Sequence, residues 1–204
     1  MPRKQLFLII FFSFLVVGFF VTLSFIIPDF AKPKFPPIGT VHPFHFVNQD
    51  NKIITEKDLR GKIAVVNFFF TTCKSICPRM NNNLKSVYEQ FKNEKDFIIL
   101  SHTCDPERDS VTRLKHYSDS MGVNTDRWMF LTGRKDSLYN AARLSYKIDD
   151  PKNFVSNIND DFLHTQLIAL INRKGEIIKI YDGIKPSEMH EMAEKISNLL
   201  HEKD

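Results

Sequence analysis

The stretch KIAVVNFFFTTCKSICP, at residues 62–78, decides the fold of this 204-residue chain. Its first part, residues 62–70, is a nearly continuous apolar and β-rich run of the kind that forms a strand buried on both faces. The run leads into a short segment that contains Cys73 and Cys77. Pro78 suits the first turn of a following helix, where its missing N–H costs no hydrogen bond. The stretch therefore predicts a central strand, a cysteine-bearing loop and a helix.

A second strand and a second helix follow at the spacing of a β-α-β unit. The apolar run at residues 97–101 predicts the strand, Asp105-Pro106 ends it, and a helix is predicted at residues 110–120. Strands joined through a helix are expected to lie parallel in one sheet. Residues 128–131 predict a further short strand. Apolar residues at helical spacing indicate the helix after the cysteines (Met80, Leu84, Val87, Tyr88 and Phe91) and a later one (Leu138, Ala141, Ala142 and Tyr146).

Two β-rich segments and a helix complete the pattern. The segments at residues 164–172 and 176–181 are separated by Arg173-Lys174-Gly175, which is typical of a hairpin turn. The last helix is predicted to follow Pro186, with Ser187 as its cap. A β-α-β unit followed by a hairpin and a helix is the thioredoxin arrangement. The predicted fold class is therefore α/β, with a central mixed sheet flanked by helices.

Length and charge narrow the classes of function. A chain of 204 residues with 43% hydrophobic residues has room for one domain and an appendage. The net charge of +4 is modest, and no run of basic residues is interleaved with aromatic ones. Nucleic-acid binding is therefore not expected.

The N-terminal region predicts a membrane anchor. Residues 6–27 contain no charged side chain and are long enough to cross a bilayer as one helix. Arg3 and Lys4 precede them, so residues 1–5 are expected on the cytoplasmic side. A cleaved signal peptide is the alternative, but its apolar core is shorter and ends in small residues. We interpret the segment as an uncleaved signal anchor.

The rest of the chain is then expected outside the cytoplasm. Residues 28–37 contain four prolines and predict an extended spacer, followed by the folded domain at residues 38–204. The N-terminus does not resemble the arginine-rich and serine-rich presequence of an imported mitochondrial protein. This favours a single-pass protein of a bacterial inner membrane, with its domain on the periplasmic side.

The chemistry of the sequence is concentrated in three cysteines, at positions 73, 77 and 104. Cys73 and Cys77 lie between a buried strand and a helix start, where backbone N–H groups, the helix dipole and Lys74 favour the thiolate form. Their spacing permits a disulfide, which could be a structural staple, or the binding of one metal ion by both sulfurs. Soft thiolates favour Cu(I), whereas zinc usually takes four ligands. A third donor is needed to complete a copper site.

Several motifs resemble those of one known family. The segment FTTCKSICP at residues 70–78 is similar to the C-x3-C-P loop of the Sco/SenC proteins. The resemblance continues in the DPERD segment at residues 105–109, in Leu131-Thr132-Gly133 and in His164-Thr165. It covers roughly residues 38–200, with the motifs in the family's order.

This resemblance implies a function as well as a fold. It implies a thioredoxin-like copper metallochaperone in which Cys73, Cys77 and His164 bind copper, as Cu(I) or alternatively as Cu(II). The copper would be delivered to the binuclear copper site of cytochrome c oxidase during assembly, with the copper-bearing subunit or another cuproprotein as partner. Many family members have aspartate before the histidine, where this chain has Leu163.

An enzyme is the alternative. In a thiol-disulfide oxidoreductase, Cys73 and Cys77 would form the redox-active pair and keep the cysteines of a cuproprotein reduced, while His164 would be dispensable. Such enzymes usually carry a proline before the penultimate strand, and residues 163–165 contain none. A peroxidase that uses one cysteine of low pKa is a third possibility.

Cys104 and His102 have two interpretations. A free cysteine is most often a small buried apolar residue. His102 is two residues away and is expected on the same strand face, so the pair could also bind metal, or Cys104 could act as a resolving thiol.

Overall fold

The computed structural model describes residues 2–26, 36–153, 157–158 and 161–202. The chain forms two compact units, Met1–Pro36 and Pro37–Asp204. In the first unit, helix α1 (Arg3–Ile26) is long and apolar enough to span a membrane. It begins three residues before the predicted segment at residues 6–27. Of the predicted spacer at residues 28–37, residues 28–35 lie outside the described residues.

The second unit is built on one eight-stranded sheet with the strand order β1-β8-β7-β4-β5-β6-β2-β3. The strands are β1 (Gly39–Thr40), β2 (His45–Asn48), β3 (Ile53–Thr55), β4 (Ile63–Phe69), β5 (Phe97–Thr103), β6 (Trp128–Thr132), β7 (Leu167–Ile171) and β8 (Glu176–Asp182). The helices are α2 (Ile76–Phe91), α3 (Val111–Met121), α4 (Lys135–Asn140) and α5 (Pro186–His201).

The centre of the sheet positions the cysteine segment. Strand β4 pairs in parallel with β5, and β5 pairs in parallel with β6, so these three strands end at the same edge of the sheet. On its other side β4 pairs antiparallel with β7, which forms a hairpin with β8. The predicted α/β class with a mixed, thioredoxin-like sheet is confirmed.

Helices cover both faces of the sheet. Alternate residues of β4 belong to different buried clusters, because successive strand side chains point to opposite faces. Ile63 and Val65 pack with α2 and α5, whereas Ala64 and Val66 pack with the region after β6. These two apolar layers hold β4 rigidly and fix the position where it ends.

Three details differ from the sequence-based expectations. The short strands β1 to β3 were not predicted. Strand β7 begins at Leu167, so His164 precedes it in a loop instead of opening it. Ser187 is not the cap of α5, because Lys185 occupies that position and Pro186 is the first helical residue. Proline takes this place readily, since the first N–H of a helix has no intrahelical acceptor.

Candidate metal centre

Cys73 and Cys77 lie together where β4 gives way to α2. We call residues 70–75 the cysteine loop. The N–H of Cys73 donates to the carbonyl oxygen of Phe70 over 3.2 Å, which closes a tight turn after the strand. Cys77 lies in the first turn of α2 and is buried, with 4% of its surface exposed, whereas Cys73 is only partly buried. Both thiols are free.

The two thiols differ in acidity. Partial burial disfavours the Cys73 thiolate, but hydrogen bonds from the Cys77 thiol and from the N–H groups of Ser75 and Cys77 outweigh this effect. The pKa of Cys73 is therefore lowered from its ordinary value of 9.0. Deeper burial, together with the hydrogen bond to Cys73, raises the pKa of Cys77 to about 12. Cys73 is thus the more reactive sulfur, since the thiolate is both the nucleophile and the metal ligand.

A buried carboxylate fixes the start of the cysteine loop. Asp109 has 1% of its surface exposed, and it accepts hydrogen bonds from the N–H of Thr71 over 3.0 Å and from the hydroxyl of Thr103 over 2.6 Å. It also accepts one from the Thr71 hydroxyl, to which Arg113 donates over 2.8 Å. These contacts tie the cysteine loop to the end of β5 and to α3. Asp109, the last residue of the DPERD segment, therefore holds the cysteine loop in place.

His164 lies in a second loop at residues 161–166, which we call the histidine loop. Its side chain is exposed, whereas the neighbouring Leu163 is buried at 1% exposure. Phe162 packs edge-on against Phe70, with ring centroids 5.2 Å apart. Phe70 starts the cysteine loop, so this contact brings the two loops against each other.

The structure joins the two cysteines but does not gather all three predicted ligands. Within the described residues, no three His, Cys, Asp or Glu side chains lie close enough together to hold one metal ion. Cys73, Cys77 and His164 are all described. A site made by these three residues therefore requires His164 to approach the thiols.

His102 and Cys104 are both buried, on the sheet face opposite to Cys77. The His102 ring is surrounded by the rings of Phe46, Phe68 and Tyr146, with centroids 5.0–5.2 Å away. Among the described residues, neither ring nitrogen of His102 has a hydrogen-bond partner, and burial lowers the pKa of His102 to about 3. Burial also raises the pKa of Cys104. The structure thus favours the interpretation of both residues as core residues.

The sequence analysis missed the polar contacts that hold both loops. For Asp109 the signal was available, since an aspartate that follows a strand end by a few residues often bonds the neighbouring backbone. The contacts of the histidine loop are formed by residues far apart in sequence, such as Arg143 and Asp161. No local pattern indicates them.

Comparison with known proteins places this geometry in a family. The model of the SCO1/SenC family matches residues 35–201. The SCO1 protein homolog of Bacillus subtilis is 32% identical over 149 residues, which cover 71% of this chain and 75% of that protein.

Solved structures agree with this result. One is BsSco, described as a member of the Sco family of cytochrome c oxidase assembly proteins with a disulfide switch. It superposes with a TM-score of 0.68 at 28% identity, covering 82% of this chain and 98% of BsSco. Another is Arabidopsis thaliana ScoI, solved with copper bound, with a TM-score of 0.62 at 26% identity over 79% of this chain and 99% of that one. These matches confirm the resemblance found in the sequence, and the chain belongs to the SCO1/SenC family.

Proposed function

We propose that this protein is a membrane-anchored copper chaperone that holds Cu(I) with Cys73, Cys77 and His164 and passes it to the binuclear copper site of cytochrome c oxidase. The observation that carries the proposal is the pair of free thiols at the junction of β4 and α2. The relatives support it, because a ScoI structure contains copper and BsSco is an oxidase assembly protein.

The donor set suits a soft monovalent ion. Two thiolates in a partly buried site favour Cu(I), and one imidazole completes a three-ligand arrangement. Binding displaces the protons of both thiols, so the raised pKa of Cys77 makes metal loading depend on pH. Oxidation of the pair to a disulfide would remove both donors and exclude the metal.

His164 supplies the movable part of the site. Its imidazole is exposed, in a loop that already contacts the cysteine loop through Phe162 and Phe70. A small movement of an exposed side chain costs less than the movement of a packed strand, because few contacts are broken. An approach and withdrawal of His164 would let the site accept copper and release it.

A membrane anchor would keep this chemistry at the bilayer. Helix α1 is long and apolar enough to span the bilayer. With Arg3 and Lys4 on the cytoplasmic side, the domain would lie in the periplasm, near the membrane-bound oxidase. Labelling of cysteines in intact cells by a membrane-impermeant maleimide tests this orientation: we expect Cys73 to be labelled, and protection until the inner membrane is broken would contradict it.

Anaerobic titration of the reduced full-length protein in detergent micelles tests copper binding. We expect one equivalent of Cu(I) to be held in competition with a chromophoric chelator, and the Cys73→Ser and Cys77→Ser variants to lose it. Cys104→Ala serves as the matched control, because it removes a cysteine that packs on the other face of the sheet. Binding that survives the loss of Cys73 or Cys77 would exclude this site.

A thiol-disulfide oxidoreductase is the second candidate, and the unequal acidity of the two cysteines favours it. The Cys73 thiolate would attack a partner disulfide and form a mixed disulfide with it, releasing one partner thiolate. Cys77, once deprotonated, would then attack Cys73 and release the second partner thiol. The partner is reduced by two electrons and this pair is oxidised to a disulfide. Turnover that does not depend on His164 would favour this function over copper delivery.

A further inference from the structure

The histidine loop is held from inside the protein by a buried arginine. The guanidinium of Arg143 donates to both carboxylate oxygens of Asp161, with distances of 2.6 and 3.0 Å. It also donates to Asp149 over 2.7 Å. The side chains of Arg143 and Asp161 are only 1% and 6% exposed. Planar two-point contacts of this kind fix orientation as well as distance.

The local backbone explains how Arg143 reaches the interior. Helix α4 ends at Asn140 and is followed directly by a π-helical turn over Ala141–Ser145. A π turn inserts an extra residue and rotates the side chains that follow, and such turns are frequent at functional sites. Within this turn Arg143 lies against the ring of Tyr139, 5.5 Å from its centroid.

This packing links Arg143 to the strand ends that carry the cysteine loop. The hydroxyl of Tyr139 donates to the carbonyl oxygen of Cys104 over 2.8 Å, and the N–H of Cys104 donates to the carbonyl oxygen of Phe69 over 2.7 Å. Phe69 is the last residue of β4. Arg143 is therefore connected, through Tyr139 and Cys104, to the end of β4, after which the cysteine loop begins.

The histidine loop alternates between inward and outward residues. Asp161 and Leu163 are buried, and the hydroxyl of Thr165 donates to the carbonyl oxygen of Ile148 over 2.8 Å. Phe162 and His164 lie between these anchors and are exposed. A fixed Asp161 therefore keeps this pattern, in which His164 is exposed next to the buried Leu163, and the exposed Phe162 ring touches Phe70.

We propose that Arg143 is a positioning residue for His164, which it keeps on the copper-facing side of the histidine loop by holding the Asp161 carboxylate. The inference rests on the proposed role of His164 as a copper ligand. It also assigns Asp161 a structural role, because both of its oxygens accept hydrogen bonds from Arg143.

The test compares Asp161→Asn with Asp149→Asn in the full-length protein in detergent micelles. Both substitutions remove one carboxylate from the same arginine, but only Asp161 belongs to the histidine loop. We expect Asp161→Asn to weaken Cu(I) binding about 10–100-fold, the usual cost of losing a partner that orients a metal ligand. Asp149→Asn should bind copper like the wild type. Arg143→Lys should behave like Asp161→Asn, because an ammonium group cannot make the two-point contact.

Hydrogen-deuterium exchange of the metal-free protein supplies a readout that does not depend on copper. Amides of residues 161–166 should exchange faster in Asp161→Asn than in the wild type or in Asp149→Asn. Unchanged exchange and copper affinity in Asp161→Asn, or equal effects of both aspartate variants, would overturn the inference. If His164→Ala binds copper like the wild type, the proposed function fails, and the exchange data still decide whether Arg143 orders the loop.

Discussion

The carboxylate of Asp109 accepts hydrogen bonds from both the main-chain N–H and the hydroxyl group of Thr71, although 38 residues separate the two in sequence. This contact holds the first turn of the cysteine loop in place. The reactive segment is therefore fixed by the strand that precedes it and also by a carboxylate that lies just before α3. The geometry of the thiol pair depends on residues that do not touch the sulfurs.

Removal of this carboxylate should destabilise the domain. Asp109→Ala leaves the N–H of Thr71 and the hydroxyl of Thr103 without their acceptor, and each buried orphan group costs about 1–3 kcal/mol. We expect the free energy of unfolding of residues 32–204, measured with urea, to fall by at least this amount. Glu107→Ala, at an exposed position in the same segment, is the control. Equal stability of the two variants would show that the contacts of Asp109 contribute nothing to the free energy of unfolding.

The two cysteines should react at different pH values. Because the pKa of Cys73 is lowered from 9.0, its alkylation by iodoacetamide should reach half of its maximal rate below pH 9.0. Cys77, with a pKa of about 12, should remain largely unmodified over the same range. Mass spectrometry of the reduced, metal-free protein after short exposures gives both rates. Faster modification of Cys77 than of Cys73 would reverse the assignment of the nucleophile.

The buried histidine should make stability depend on pH. His102 has a pKa of about 3 in the folded protein and about 6.5 in the unfolded chain, so between these values only the unfolded state binds the proton. Stability is therefore lost as the pH falls below 6.5, by about 2 kcal/mol at pH 5.

The His102→Phe variant isolates this contribution. Phenylalanine keeps an aromatic ring among Phe46, Phe68 and Tyr146 but cannot be protonated. Urea unfolding at pH 7 and pH 5 should show a smaller loss of stability for the variant than for the wild type. Identical losses would mean that His102 is protonated in the folded protein.

Cys104 should be dispensable for copper binding. It is buried in the cluster on the sheet face opposite to Cys77. Cys104→Ala should therefore hold one equivalent of Cu(I) with the affinity of the wild type, measured by competition with a chelator. A marked loss of affinity, in a variant that melts at the wild-type temperature, would show that a third sulfur belongs to the site.

The central part of the fold could be predicted because its signals are local. The run at residues 62–70 is almost entirely apolar and contains β4. The helical spacing of Met80, Leu84 and Phe91 marks the buried face of α2. Strands β1 to β3 have two to four residues each and depend on pairing with distant segments. Such strands leave little pattern in the sequence, because tertiary pairing stabilises them more than residue preference.

The candidate site could be predicted only in part, for a related reason. Cys73 and Cys77 follow a strand and precede a helix, so their proximity is a consequence of local geometry. His164 lies 87 residues after Cys77 in sequence (164 minus 77), and only the family resemblance related it to the cysteines. The histidine loop is held by the ion pair of Arg143 with Asp161, which joins a π-helical turn to an irregular segment. Helical spacing predicted a helix around this turn, but that spacing does not indicate that Arg143 bonds to Asp161.

Competition titration of the His164→Ala variant tests whether His164 binds copper together with Cys73 and Cys77. The reduced protein is titrated anaerobically with Cu(I) in the presence of a chromophoric chelator, alongside the wild type and His190→Ala, which removes an exposed histidine of α5. We expect one tight equivalent of Cu(I) in the wild type and in His190→Ala, and a lost or greatly weakened equivalent in His164→Ala. Equal affinity in all three proteins would contradict a site built from Cys73, Cys77 and His164.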